Sequence, residues 1–120
     1  MGWTVEITPG ALRDAQQIFA YLFRTHQDRF GHSTREANRL AVRRVQQIIE
    51  DAGRMANAPH IGTAHYDWRP GLRHLTLNRA IYWFIVDEDH KRVRIVGLFF
   101  GGQDHFSQMI ARLGLSGGAE

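Results

Sequence analysis

The 120 residues contain no cysteine, which excludes disulfides, thiolate metal ligands and a thiol nucleophile. Proline is scarce as well, at positions 9, 59 and 70 alone, and Lys91 is the single lysine beside 14 arginines. No apolar run approaches the ~18 residues that a membrane-spanning helix needs. The start, MGWTVEITPG, has neither a basic leader nor an apolar signal core, and Glu6 stands where a myristoylation signal wants Ser or Thr. The expectation is a cytoplasmic protein. Repeats and low-complexity stretches are missing too, which leaves one domain over residues 1–120, with a small, polar tail from Gly114 to Glu120 expected to fray.

What is present begins with a mild positive charge of +3. It is evenly spread: residues 1–58 carry 8 basic and 6 acidic side chains, and residues 59–120 carry 7 and 6, so neither half is a basic arm. Arginine in place of lysine reflects either base composition or a use for the two-pronged guanidinium fork toward anions.

Trp3 to Ile7 alternates apolar and polar, the period of a half-buried strand. Thr8-Pro9 reads as an N-cap followed by proline at the first helical position. Ala11, Leu12, Ala15, Ile18, Phe19 and Leu22 then recur at helical spacing, which predicts a helix to about His26. Gly31 breaks the chain, and Ser33-Thr34-Arg35-Glu36 has the form of a reciprocal capping box. The second helix carries Ala37, Leu40, Ala41, Val45, Ile48, Ala52 and Met55 on one stripe, so the two helices form a hairpin with facing apolar sides.

Residues 57–71, with Pro59, Gly62 and Pro70, read as a loop. Three strands follow: Leu72–Leu77, a two-residue turn at Asn78-Arg79, Ala80–Val86, a charged turn from Asp87 to Lys91, and Val93–Phe100. Counting strand up, helix down and helix up brings the next strand downward, so the sheet is expected to be antiparallel. The fold class is α+β, a helical hairpin on one face of a four-stranded, mainly antiparallel sheet, with a short last helix from Asp104 to Leu113. The hairpin turn pairs Leu77 with Ala80 and Arg73 with Phe84. Continuing through Val86 with Val93 predicts Tyr82 opposite Gly97. Leu75, Leu77, Tyr82, Phe84, Val86, Val93, Ile95 and Phe99 then lie under the helices. His74, Thr76, Ile81, Trp83, Ile85, Arg94, Val96 and Leu98 form an outer face too apolar to stand bare, so the C-terminal segment or a partner should cover it.

The order strand, helix, helix, three strands resembles the RelE/ParE superfamily of toxins from bacterial toxin–antitoxin pairs. The resemblance rests on Ala11-x-x-Asp14-Ala15-x-x-Ile18-x-x-Tyr21, on Gly71-Leu72-Arg73 and on Tyr82-x-x-Ile85. Val93-x-Ile95-x-x-Leu98-Phe99-Phe100-Gly101-Gly102-Gln103-Asp104 resembles the last strand and exit turn of the ParE-like branch. The resemblance implies a growth-arresting toxin neutralised by a cognate antitoxin, whose segment is expected on Ile81, Trp83, Ile85, Arg94, Val96 and Leu98. It implies either inhibition of DNA gyrase, as in ParE-like members, or metal-independent mRNA cleavage in the ribosome, as in RelE-like ones. No cofactor is implied by either.

Cleavage of that kind needs a base for the ribose 2′-hydroxyl, an acid for the leaving oxygen and cations for the phosphate. The candidates are His105, Arg94, Arg73 and Asp104, with His74 close by. Each has a bland counterpart: Asp104 as a helix cap, His105 as a first-turn residue, Arg94 and Arg73 in rim ion pairs. His60, His65, His74 and His90 lack metal-ligand spacing and are expected as scattered surface and loop residues. Gly101-Gly102 lacks the Lys-Ser/Thr of a phosphate loop. The balance favours a gyrase-directed binding toxin over a nuclease.

Overall fold

In the computed structural model, which describes residues 2–114, the chain forms β1 (Thr4–Ile7), α1 (Pro9–Asp28), α2 (Thr34–Gly53), β2 (Thr63–Ala64), β3 (Leu72–Leu77), β4 (Ala80–Asp87), β5 (Arg92–Phe100) and α3 (His105–Arg112). The expected fraying tail lies, beyond Gly114, outside the described residues. Local signals decide the helix starts. Thr8 caps α1 by accepting from the Ala11 amide, and Pro9 takes a first-turn place where a missing N–H costs nothing. Ser33 caps α2 by accepting from the Glu36 amide at 3.1 Å. The reciprocal half of the capping box is not formed, because the Glu36 carboxylate turns to Arg39 one helical turn on. Apolar stripes of the two helices meet the inner sheet face, where Ala11, Ala41, Ile48, Tyr82, Phe84, Val93 and Ile95 are each at most 2% exposed.

The sheet has five strands in the order β1-β5-β4-β3-β2, one more than expected. The extra strand, β2, pairs antiparallel with β3 inside the expected loop. It corrects the direction count. The segment after α2 returns along the sheet before β3 begins, so β3 starts from the other end and β5 runs parallel to β1, with Ile7 opposite Ile95. The β3–β4 hairpin has the expected register, Leu77 opposite Ala80, and both turn residues are left-handed, Asn78 at φ 52° and Arg79 at φ 70°.

The β4–β5 pairing departs from expectation at one place. Val86 meets Val93 and Phe84 meets Ile95, but Trp83 meets Gly97, so Val96 is an extra residue in β5. This bulge exchanges the faces of everything beyond it: Leu98 and Phe100 join the core under the helices, and Phe99 joins the outer face. Leu98, expected outside, is therefore corrected to an inner residue, 1% exposed. Gly97 is small for a reason, since a Cβ there would lie 2.7 Å from Met109 Sδ and 3.1 Å from the Phe99 ring. With glycine at that point, α3 packs directly against the sheet.

Candidate functional site

The outer face is covered from within the chain. Met109 of α3 is fully buried against Leu72, Ile81, Trp83 and Phe99, and Trp68 from the β2–β3 connection packs on the same cluster. Trp83, at the bulge, sits at the centre with no exposed surface. Its indole lies against the rings of His74 (4.8 Å), His65 (4.9 Å) and Trp68 (5.7 Å), and Phe106 meets it edge-on at 5.6 Å.

Three histidines converge on this indole, contrary to the expectation of scattered ones. His65 follows β2, His74 lies on β3 opposite Trp83, and His105 opens α3. The Trp83 indole N–H donates to His105 Nδ1 at 3.0 Å. Because an indole can only donate, His105 Nδ1 is an acceptor and the neutral ring carries its proton on Nε2. His65 Nε2 and His74 Nδ1 share a hydrogen bond at 2.7 Å. All three rings are easier to deprotonate than a free imidazole. Burial pushes His74 down to about 4, helped by the neighbouring His65 and His105. Burial also lowers His65, against the pull of Asp67, and His105, against the pull of Asp104. Among the described residues no group of three or more His, Asp or Glu is arranged to hold a metal ion.

The other predicted site residues are spread along the sheet. Asp104 caps α3, accepting from the Ser107 amide at 3.2 Å, and that bond holds its carboxyl below the usual range. Arg73 donates to the carbonyls of Ile61 (3.0 Å) and Gly62 (3.1 Å) and to the Tyr66 hydroxyl (2.6 Å), tying the long connection to β3 rather than pairing with an acid. Arg94 is 3.4 Å from Glu6 across the β1–β5 pair. Of the six residues expected to meet a partner, Ile81 and Trp83 are covered by α3 and Leu98 lies in the core, whereas Ile85, Arg94 and Val96 retain some exposure.

A different apolar surface is open. Leu12, Phe19, Val42, Val45 and Ile49 line a groove along the outside of the helical hairpin, with Leu12 48% and Val42 38% exposed. Leu12, Phe19 and Val45 were legible as helical-stripe residues, but periodicity alone did not say that α1 and α2 would leave a groove between their outer sides.

No protein-family model matches this sequence, and no curated protein matches it either. Solved structures do. The chain is similar to the toxin–antitoxin complex RelBE2 of Mycobacterium tuberculosis, with 16% identity, 86% of this chain and 95% of that one covered, and a TM-score of 0.59. It is similar to the chromosomal ParDE system of P. aeruginosa at 20% identity, 82% and 96% coverage and a TM-score of 0.60. A double mutant of the E. coli toxin RelE in the free state aligns at 9% identity over 94% and 99%, with a TM-score of 0.57. The fold is thus that of the RelE/ParE toxins of toxin–antitoxin systems. Both branches occur among these neighbours.

Proposed function

We propose that this chain is the toxin of a type II toxin–antitoxin pair, that it acts by binding DNA gyrase, and that a cognate antitoxin neutralises it. The observation that carries the choice of a binding toxin is that every candidate catalytic group already has a partner within the chain. His105 Nδ1 accepts from Trp83, Asp104 caps α3, Arg73 ties down loop carbonyls, and Arg94 faces Glu6. A general acid must carry its proton near neutral pH, and burial disfavours the charged form of His105. The strand exit Phe99-Phe100-Gly101-Gly102-Gln103-Asp104, similar to the ParE-like branch, supports gyrase as the target.

The antitoxin contact is proposed along the helical hairpin groove, on Leu12, Phe19, Val42 and Ile49, and at the open part of the sheet near Ile85, Arg94 and Val96. An amphipathic helix offers apolar anchors at the spacing such a groove accepts. The test is a pair of assays on the purified chain: supercoiling by gyrase, and the integrity of mRNA in cell-free translation. Inhibited supercoiling with intact mRNA supports the proposal, and site-specific mRNA cuts that disappear in His105→Ala overturn it.

A further inference from the structure

Four arginines line one groove of about 480 Å³ at the end of the hairpin: Arg29 at the C-cap of α1, Arg43 and Arg44 on α2, and Arg79 in the β3–β4 turn. Tyr21, Phe30 and Phe100 line the same groove, and among the described residues no carboxylate does. None of the four guanidinium groups has an ion-pair partner among the described residues. The acidic run Asp87-Glu88-Asp89 lies at the opposite end of β4. The groove is therefore a concentrated positive site on a chain whose net charge is only +3.

One of the cations is held in place: Arg44 donates to Gln47 Oε1 at 2.9 Å and to the Asn78 carbonyl, and its guanidinium is 5.2 Å from the centre of the Phe100 ring. The Arg79 guanidinium is also 5.2 Å from that ring. Beside them two rings are presented to solvent, Phe30 at 63% and Tyr21 at 43% exposure. His26, adjacent to Phe30, has an Nδ1 shielded from water with no hydrogen-bond partner among the described residues.

We propose that this groove binds single-stranded nucleic acid, with phosphates on the arginine forks and bases stacked on Phe30 and Tyr21. Guanidinium groups without a carboxylate partner among the described residues, here Arg29, Arg43 and Arg79, match phosphate oxygens two at a time. Exposed rings interleaved with them form the stacking platform that single strands use irrespective of sequence. An acidic peptide would satisfy the arginines and leave the two rings idle, and that distinction decides between them. The site stands apart from the proposed antitoxin contact, since it shares no lining residue with the apolar groove of the hairpin.

The test is fluorescence anisotropy of the full chain with labelled oligo-dT, oligo-U and oligo-glutamate of about 12 units, the span of one single-strand site, between about 50 and 300 mM salt. Both oligonucleotides are expected to bind, and binding should weaken as salt rises. Arg43→Glu with Arg79→Glu should weaken it at least about tenfold and flatten the salt dependence by about 0.7 in log–log slope for each phosphate left unneutralised. Phe30→Ala, which changes no charge, should weaken it about fivefold, the worth of one stacked base, with the slope unchanged. Arg13→Glu with Arg35→Glu makes the same change in net charge at exposed positions outside the groove and should leave affinity intact. Circular dichroism verifies folding of each variant. The proposal is overturned if neither oligonucleotide binds at the low-salt end, or if both double variants lose affinity equally. It is also overturned if oligo-glutamate binds as tightly as DNA and RNA while Phe30→Ala has no effect.

Discussion

Asp14 and Arg112, 98 positions apart, form a two-pronged ion pair, Nη1 to Oδ2 at 2.6 Å and Nη2 to Oδ1 at 2.9 Å. The pair completes the edge of the sheet. β1 ends opposite Ile95, so beyond that point β5 has no strand on its outer side, away from β4. Asp14 accepts from the Leu98 amide at 3.0 Å, and Arg112 donates to the Val96 carbonyl at 3.0 Å. The backbone groups that the bulge turns away from β4 are thereby satisfied, and α1, β5 and α3 are joined at one point.

Arg112→Ala should therefore destabilise the fold by about 3 kcal/mol, since it leaves a buried carboxylate without its counter-ion. The lower end of the range applies because the Arg112 side chain keeps 32% of its surface in water while Asp14 keeps 6%. Denaturant melts measure this. A loss under about 1 kcal/mol, typical of surface pairs, would mean the pair is not what holds α3.

Gly97→Ala should cost about 1–3 kcal/mol, because the added methyl collides with Met109 Sδ. Met109→Ala in the same chain should cost less than the sum of the two single changes, since it removes the collision. Additive losses in the thermal melts of the four chains would place the strain elsewhere.

The histidine cluster predicts an acid-sensitive fold. An unfolded His74 takes up its proton near pH 6.5, whereas the folded one does so near 4. Between these values the unfolded chain binds more protons, so stability is fully present above about pH 6.5 and falls as pH drops toward about 4. His65 and His105, shifted the same way, add to the slope. Melting temperatures between about pH 7.5 and pH 4.5 should fall, and less steeply in His74→Gln. Parallel curves for the two chains would show that His74 does not set the slope.

The half-formed capping box separates two substitutions. Ser33→Ala should cost about 1 kcal/mol, and Glu36→Gln under about 0.5 kcal/mol because that carboxylate serves a surface pair with Arg39. Equal losses in denaturant melts would restore the reciprocal box.

Much of this fold was legible because it is written locally. Thr8-Pro9 and Ser33 mark helix starts, and Asn78-Arg79 sets a hairpin register that the structure reproduces pair for pair. Three features depend on distant partners and left no local mark. β2 is two residues long and takes its identity from His74 and Arg73 opposite it. The extra residue at Val96 is stabilised by Asp14 and Arg112, far away in sequence. Without the bulge, periodicity puts Leu98 and Phe99 on each other's faces. The convergence of His65, His74 and His105 on Trp83 follows from these long-range pairings, and isolated spacings could not reveal it.

The proposal that this chain is a gyrase-directed binding toxin is tested most directly by adding the purified chain to gyrase with relaxed plasmid, and in parallel to a cell-free translation mixture whose mRNA is mapped for cuts. Salt is held fixed in both, because contacts with polyanions weaken steeply as it rises. A gyrase-directed toxin should give inhibited supercoiling or trapped DNA breaks, intact mRNA, and equal potency for wild type and His105→Gln. Codon-positioned mRNA cleavage that disappears in His105→Gln, with supercoiling unaffected, would contradict it.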